Sequence, residues 1–245
     1  MNLKALKVTD FSGQNLYVGL DIHYKSWMVS IYSDEFELKT FSQCPGADQL
    51  VGYLRKHYPG AQFHLAYEAG FCGFWIQRAF TEQGMPCQVI HPCDIPGTDK
   101  EKKRKTDRVD SRKIAKALKY QELNTIFIPD PVQEADRQLL RSRGRIVQDI
   151  TRMKNRIKAF LKLRGIQPPD HLTHWCAPFI AWLKTIPLAQ TSDQIALLVY
   201  IAELTSLNQL QSQLERDIRE LAASPRYKDQ VTLLRTIPSI GMLAA

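Results

Sequence analysis

The chain has 245 residues, 44% of them apolar and 24% charged, a composition that supports a buried core and excludes a disordered or fibrous class. Lys and Arg number 33 against 25 acids, a formal charge of +8, which favours an anionic partner such as nucleic acid or an acidic membrane. No stretch approaches ~18 apolar residues and the start lacks an apolar leader run, so neither a membrane span nor a signal peptide is expected. The five cysteines (Cys44, Cys72, Cys87, Cys93 and Cys176) are odd in number and form no C-x-x-C pair. A cytoplasmic chain without a disulfide framework is the expectation.

Residues 1–14 read as a tail. Leu16–Leu20, Trp27–Tyr32 and Glu37–Cys44 read as three strands, close enough in sequence for antiparallel hairpins. Ala47–His57 carries a helical pattern, with Leu50, Val51 and Leu54 on one face, and Tyr58-Pro59-Gly60 ends it. Gln62–Tyr67 is a fourth strand stopping at Glu68. A helix over Phe74–Gln83 and a strand over Pro86–His91 follow. Three strands, helix, strand, helix, strand is the element order of an α/β RNase H-like mixed sheet flanked by helices. After Pro96-Gly97, the segment Asp99–Lys116 holds nine Lys or Arg against four acids. It turns helical from about Asp107, with Val109, Ile114, Ala117 and Leu118 as core candidates. Ile126–Ile128 reads as a last short strand before Pro129-Asp130-Pro131. The first domain is placed at 15–131.

An all-α, coiled-coil-like segment over 132–224 comes next. The spacing predicts a long helix over 134–164, with Leu139, Ile146, Ile150, Met153, Ile157 and Phe160 in a mostly four-three seam. Ten Lys or Arg stand between Arg137 and Arg164, against Asp149 alone. Leu197, Tyr200, Leu204, Leu207, Leu214, Ile218 and Leu221 repeat the seam, broken once at Gln211. The two helices pair either within the chain or between chains. Trp175 and Trp182 read as core. A new apolar element opens at Leu233.

Four carboxylates stand out. Asp21 ends the first strand and Glu68 the fourth, and in this topology those strands are neighbours. Asp107 and Asp110, three apart on a helix, share a face. Taken singly, each has a plain reading: a turn residue, a helix cap, a surface ion pair. Together they form a set of oxygen ligands suited to Mg²⁺ or Mn²⁺, because clustered carboxylates repel one another unless cations intervene. Two ions ~3.5–4 Å apart are the usual arrangement for in-line attack at a phosphodiester.

The segments carrying these acids, GLDIH (19–23), AYEAG (66–70) and KTDRVDSRKIAKAL (105–118), resemble the DEDD transposases of the insertion-sequence 110 family. The similarity spans about residues 16–165, and LLRTIPSIG (233–241) resembles the opening of that family's second conserved domain, placed here at 225–245. The resemblance implies a RuvC-like nuclease fold and an acidic tetrad of Asp21, Glu68, Asp107 and Asp110 that holds divalent metal. It also implies transposition, the recombination of element ends with target DNA, guided by a structured RNA. The family's catalytic serine is expected beyond Ala245, and Ser239 is not that serine. On this expectation the chain is a fragment, a truncated product or a decayed copy. A junction-resolving nuclease of the same fold and an inactive nucleic-acid-binding remnant stay open as alternatives.

Two basic segments are candidates for holding phosphates. Lys100, Lys102, Lys103, Arg104 and Lys105 precede Asp107, and Arg141, Arg145, Arg152, Arg156 and Lys158 lie off the apolar seam of the long helix. The four-three seam also makes a homo-oligomer an expectation. His171, His174 and Cys176 are too few and too irregularly spaced for zinc. His23, two residues beyond Asp21, is expected beside the ligands or at the surface rather than among them. Tyr24 and Trp75 have ring faces that suit base stacking, but packing is the expected role for both.

Overall fold

Alternation along the first strands sets the architecture of the N-terminal unit. The computed structural model describes residues 10–94, 106–172 and 175–244. The chain divides into two units after Ile128. In the first lie β1 (Asn15–Ile22), β2 (Trp27–Tyr32), β3 (Glu37–Gln43), α1 (Ala47–His57), β4 (Gln62–Glu68), α2 (Trp75–Glu82), β5 (Cys87–Ile90) and α3 (Asp107–Lys119). The sheet order is β3-β2-β1-β4-β5, with β1 antiparallel to β2 and parallel to β4. The fold is therefore the α/β RNase H-like mixed sheet that the element order predicts.

Successive side chains in a strand point to opposite faces. Leu16, Val18 and Leu20 of β1 join Val29, Ile31, Leu65 and Tyr67 beneath Leu50, Val51 and Leu54 of α1 and Ile76 and Phe80 of α2. The residues between them, Tyr17 and Ala66, turn to the other face, where Ile90 joins them beneath Ile114 and Leu118 of α3. Burying one such Leu or Ile contributes about 1.5–3 kcal/mol.

Around Gly19 on that second face the residues are small, and α3 comes very close. A Cβ added at Gly19 would meet the Ser111 carbonyl oxygen at 2.2 Å and the Ala115 nitrogen at 2.4 Å. Here glycine is required for space: the helix backbone rests on the strand backbone. Polar contacts hold the position. The buried Ser30 hydroxyl lies 2.8 Å from that of Ser111 and 2.9 Å from that of Thr40. Arg112 donates through Nε (2.9 Å) and Nη2 (2.7 Å) to Oε1 of Glu37. Glu37 also accepts from Thr40 (2.7 Å) and Tyr32 (2.7 Å). Burial pushes the Glu37 carboxyl up, but the hydrogen bonds from Thr40, Tyr32 and Arg112, with the Arg112 charge, outweigh it and hold the group below its ordinary value.

The expected strand over Ile126–Ile128 is not formed. Pairing is a single antiparallel bridge between Thr125 and Ile90, with Ile126 N–H donating to Val89 at 2.9 Å. Pro129 and Pro131 carry no N–H and cannot extend it. Ile126 and Ile128 pack against the core instead.

The second unit holds α4 (Pro131–Leu163), α5 (Ala177–Thr185), α6 (Thr191–Ala222) and α7 (Lys228–Leu234). Asp130 caps α4 by accepting from Gln133 N–H at 2.9 Å, and Pro131 supplies a preset φ in its first turn. Ion pairs join Arg143 to Glu215 (2.9 Å), Arg156 to Glu203 (3.6 Å) and Arg164 to Asp193 (2.6 Å). Numbers rise along α4 as they fall along α6, so the two long helices pair antiparallel within the chain. Their buried seam is Ile150, Met153, Ile157 and Leu161 against Leu197, Ile201 and Leu204. Leu161 and Ile201 replace Phe160 and Tyr200, which are partly buried and meet edge to face at 6.1 Å. Trp175 and Trp182 pack around Phe179, as expected of core residues. Leu233 in the last turn of α7 and Ile237 just past it are exposed. Among the described residues no helix is long and apolar enough to cross a membrane.

Two outcomes follow for the α3 dock. Gly19→Ala is expected to lose about 1–3 kcal/mol in a denaturant melt, because the overpacked atoms are backbone. Glu37 has a lowered folded pKa, so its stabilisation is present above the unfolded value and is lost as pH falls through the folded one. The stability advantage of the wild type over Glu37→Gln, measured by urea titration, is therefore expected to be largest at neutral pH and to shrink once the pH drops below about 4.3.

Candidate functional site

The last register pair of β1 and β4 is Leu20 with Tyr67, so Asp21 and Glu68 come one step beyond it on adjacent strands. Both alternate onto the α3 face: Asp21 follows Gly19 by two residues, and Glu68 follows Ala66 by two. The N-terminus of α3 points at these strand ends. Thr106 caps it, its hydroxyl accepting from Val109 N–H at 3.4 Å, so Asp107 and Asp110 fall in the first turn, where the helix dipole favours negative charge.

Helical spacing then assigns each acid a neighbour. Ser111 and Ala115 lie over Gly19, and Asp107, one turn earlier on that stripe, is carried over the end of β1. Ile114 and Leu118 pack against Ala66 and Ile90. Asp110, one turn before Ile114, is carried towards the end of β4.

The tightest grouping joins Asp21 and Asp107 through His23. The His23 Nε2 atom is 3.3 Å from Oδ2 of Asp21 and 3.4 Å from Oδ1 of Asp107. Each of the three offers a ligand atom within 4.8 Å of the other two. Asp110 and Glu68 stand outside this trio. Asp110 lies 4.0 Å from the Lys113 ammonium, and Glu68 takes its place from strand register and face. Burial pushes the Asp21 carboxyl above its usual value. His23 opposes that shift, while Asp107 and Asp110 add to it. The Asp21 carboxylate thus sits half-buried among like charges, and a hard divalent cation suits such a donor set.

His23 lies beside the candidate ligands, as expected, and stands between two of the acids. The turn from β1 into β2 brings it there: His23 N–H donates to the Ser26 carbonyl at 3.0 Å, folding the residue back over the strand end. Its place two residues after Asp21 was the available signal. Tyr24 does not pack, being 86% exposed beside the site. Trp75 is half exposed, its ring tilted against Trp27 at 6.2 Å.

The basic candidates divide. Lys100, Lys102, Lys103, Arg104 and Lys105 lie outside the described residues, as does His174. On α4, Arg152 pairs with Asp149 at 2.7 Å, and Arg156 pairs with Glu203 and lies over the Tyr200 ring. Arg141, Arg145 and Lys158 are exposed and make no ion pair among the described residues. Arg141, Arg145 and Arg152 share the face turned away from the Ile150–Ile157 seam.

Over 236 residues, covering 95% of this chain and 68% of the relative, the sequence is 25% identical to the transposase for insertion sequence element IS1533 of Leptospira borgpetersenii. It is 26% identical over 168 residues to a Sinorhizobium fredii protein named as a transposase, y4rJ, and 27% identical over 182 residues to a second, y4qE. It covers 42% and 43% of those two, so it spans less than half of their length. Residues 18–165 match the family model of DEDD transposases of the insertion-sequence 110 type, a stretch that runs from within β1 to just past α4 and includes all four acids. The chain belongs to the DEDD transposase family of insertion sequence 110.

Proposed function

We propose that the N-terminal unit is the metal-dependent phosphodiester-cleaving module of an insertion-sequence transposase, or site-specific recombinase, with Asp21, Glu68, Asp107 and Asp110 holding Mg²⁺ or Mn²⁺. The observation that carries this reading is the meeting of Asp21 and Asp107 where two parallel strands end under a helix N-terminus. Divalent ions held by these carboxylates would supply activation of the attacking oxygen and charge neutralisation at the leaving one. Among the residues, Asp21 gives the half-buried anchor and Asp107 the more exposed carboxylate, open to solvent and to a phosphate.

The outward face of α4 serves as the nucleic-acid grip, with Arg141 and Arg145 as cations that pair with no acid among the described residues. Phosphate contacts of this kind position a partner without reading its sequence. In this reading, element ends and target DNA are the substrates, and a guide RNA selects the target. A homo-oligomer belongs to the same reading, supported by exposed Ile195, Leu198 and Val199 on α6.

Calorimetric titration with Mn²⁺ is expected to show binding to the wild type and a loss of at least roughly ten-fold in affinity for Asp21→Asn. In chelator, Asp21→Asn is expected to be at least as stable as the wild type, since a carboxylate whose folded pKa is raised costs stability once ionised. Equal Mn²⁺ binding by the two proteins rejects the site. For the grip, the slope of log affinity against log salt on a nucleic-acid duplex is expected to fall by about 2 in the Arg141→Ala/Arg145→Ala double variant. An unchanged slope removes α4 from the interface.

A further inference from the structure

We propose that His23 is itself a metal ligand of this site, adding one imidazole nitrogen to the carboxylates and moving its preference from Mg²⁺ towards first-row transition ions. The inference rests on the metal-site reading above and goes beyond the acidic tetrad.

The geometry of the trio carries it. His23 Nε2 stands almost equally far from one oxygen of Asp21 and one of Asp107, at 3.3 and 3.4 Å. A charge-assisted hydrogen bond from imidazole to carboxylate closes to about 2.7–2.9 Å, and neither contact does so. Donors about 2.1 Å from one shared ion, separated by 90–110°, stand about 3.0–3.4 Å from each other. The nitrogen therefore stands from each oxygen at the spacing of neighbouring corners of one coordination shell, and all three donor atoms lie within 4.8 Å of one another.

Two further features fit. The His23 backbone is tied by its N–H to the Ser26 carbonyl at 3.0 Å, so the ring springs from a closed turn. The side chain is also 47% exposed, against 19% for Asp21, which leaves the imidazole on the open side of the site. Chemically, Mg²⁺ takes oxygen donors and keeps its waters, whereas imidazole nitrogen favours transition ions. A site of this composition binds both but gains from the nitrogen only with the second kind.

The test uses the full chain loaded with Mn²⁺ and read by electron spin-echo envelope modulation, which reports nitrogen bound directly to the ion. The expected result is a ¹⁴N modulation in the wild type that disappears in His23→Ala. Mn²⁺ affinity in that variant should drop roughly ten-fold while Mg²⁺ affinity moves far less. The exposed position of His23 makes the variant a mild one for folding, and the wild-type spectrum decides by itself. Bound Mn²⁺ without nitrogen modulation, or modulation that survives in His23→Ala, overturns the role of His23 and leaves the carboxylate site standing. Failure of the wild type to bind Mn²⁺ overturns both.

Discussion

The first unit depends on one contact: the backbone of α3 resting on the backbone of β1 at Gly19. With a Cβ there, Ser111 and Ala115 would have to move away. Around the contact the side chains are correspondingly small, with Ser30 as the sheet side of the dock and Ser111 and Ala115 as the helix side. Closeness has a direct consequence for the site. The first turn of α3 lies one turn beyond the contact, so the separation at Gly19 sets how far Asp107 and Asp110 stand from the ends of β1 and β4. Arg112 and Glu37, with Tyr32 and Thr40, hold the helix against sliding along the strand.

That rigid dock works against an electrostatic cost. Asp21 is half-buried, and its neighbours Asp107 and Asp110 raise its pKa further. Like charges held together destabilise a fold unless something positive joins them. The structure meets the cost with apolar burial elsewhere: α1 and α2 cover the opposite face with a continuous core. The second unit manages charge differently. Arg143, Arg156 and Arg164 on and just beyond α4 pair with acids of α6 and hold the hairpin together, while Arg141 and Arg145 on the far side pair with no acid among the described residues. One basic helix thus has both a structural face and an open one.

Much of this was legible in the sequence, for identifiable reasons. Strands β2 and β3 and helix α1 have sharp changes of pattern at their ends, and their bounds agree with expectation to within a residue. The Asp107 start of α3 follows from Thr106, a good cap residue. Long-range contacts were not legible: Arg112 and Glu37 are 75 residues apart, and nothing in either segment names the other. The extended run at 126–128 failed as a strand because a proline follows at once. Phe160 and Tyr200 gave up their expected seam places to Leu161 and Ile201 because a straight helix repeats at 3.6 residues and drifts from a strict four-three count. His23 lies beside the acids, as its place two residues after Asp21 suggests, but its position between two of them was not legible. Only the turn to Ser26 reveals that it folds back.

The central claim is spatial: segments distant in sequence share one cation-holding place. Paramagnetic broadening tests it most directly. Substoichiometric Mn²⁺ added to the isotope-labelled chain should broaden the backbone amide resonances of Asp21, Glu68, Asp107 and Asp110 together, and leave those of α6 sharp. Broadening confined to one of these segments, or spread evenly over the acidic surface, would contradict the account.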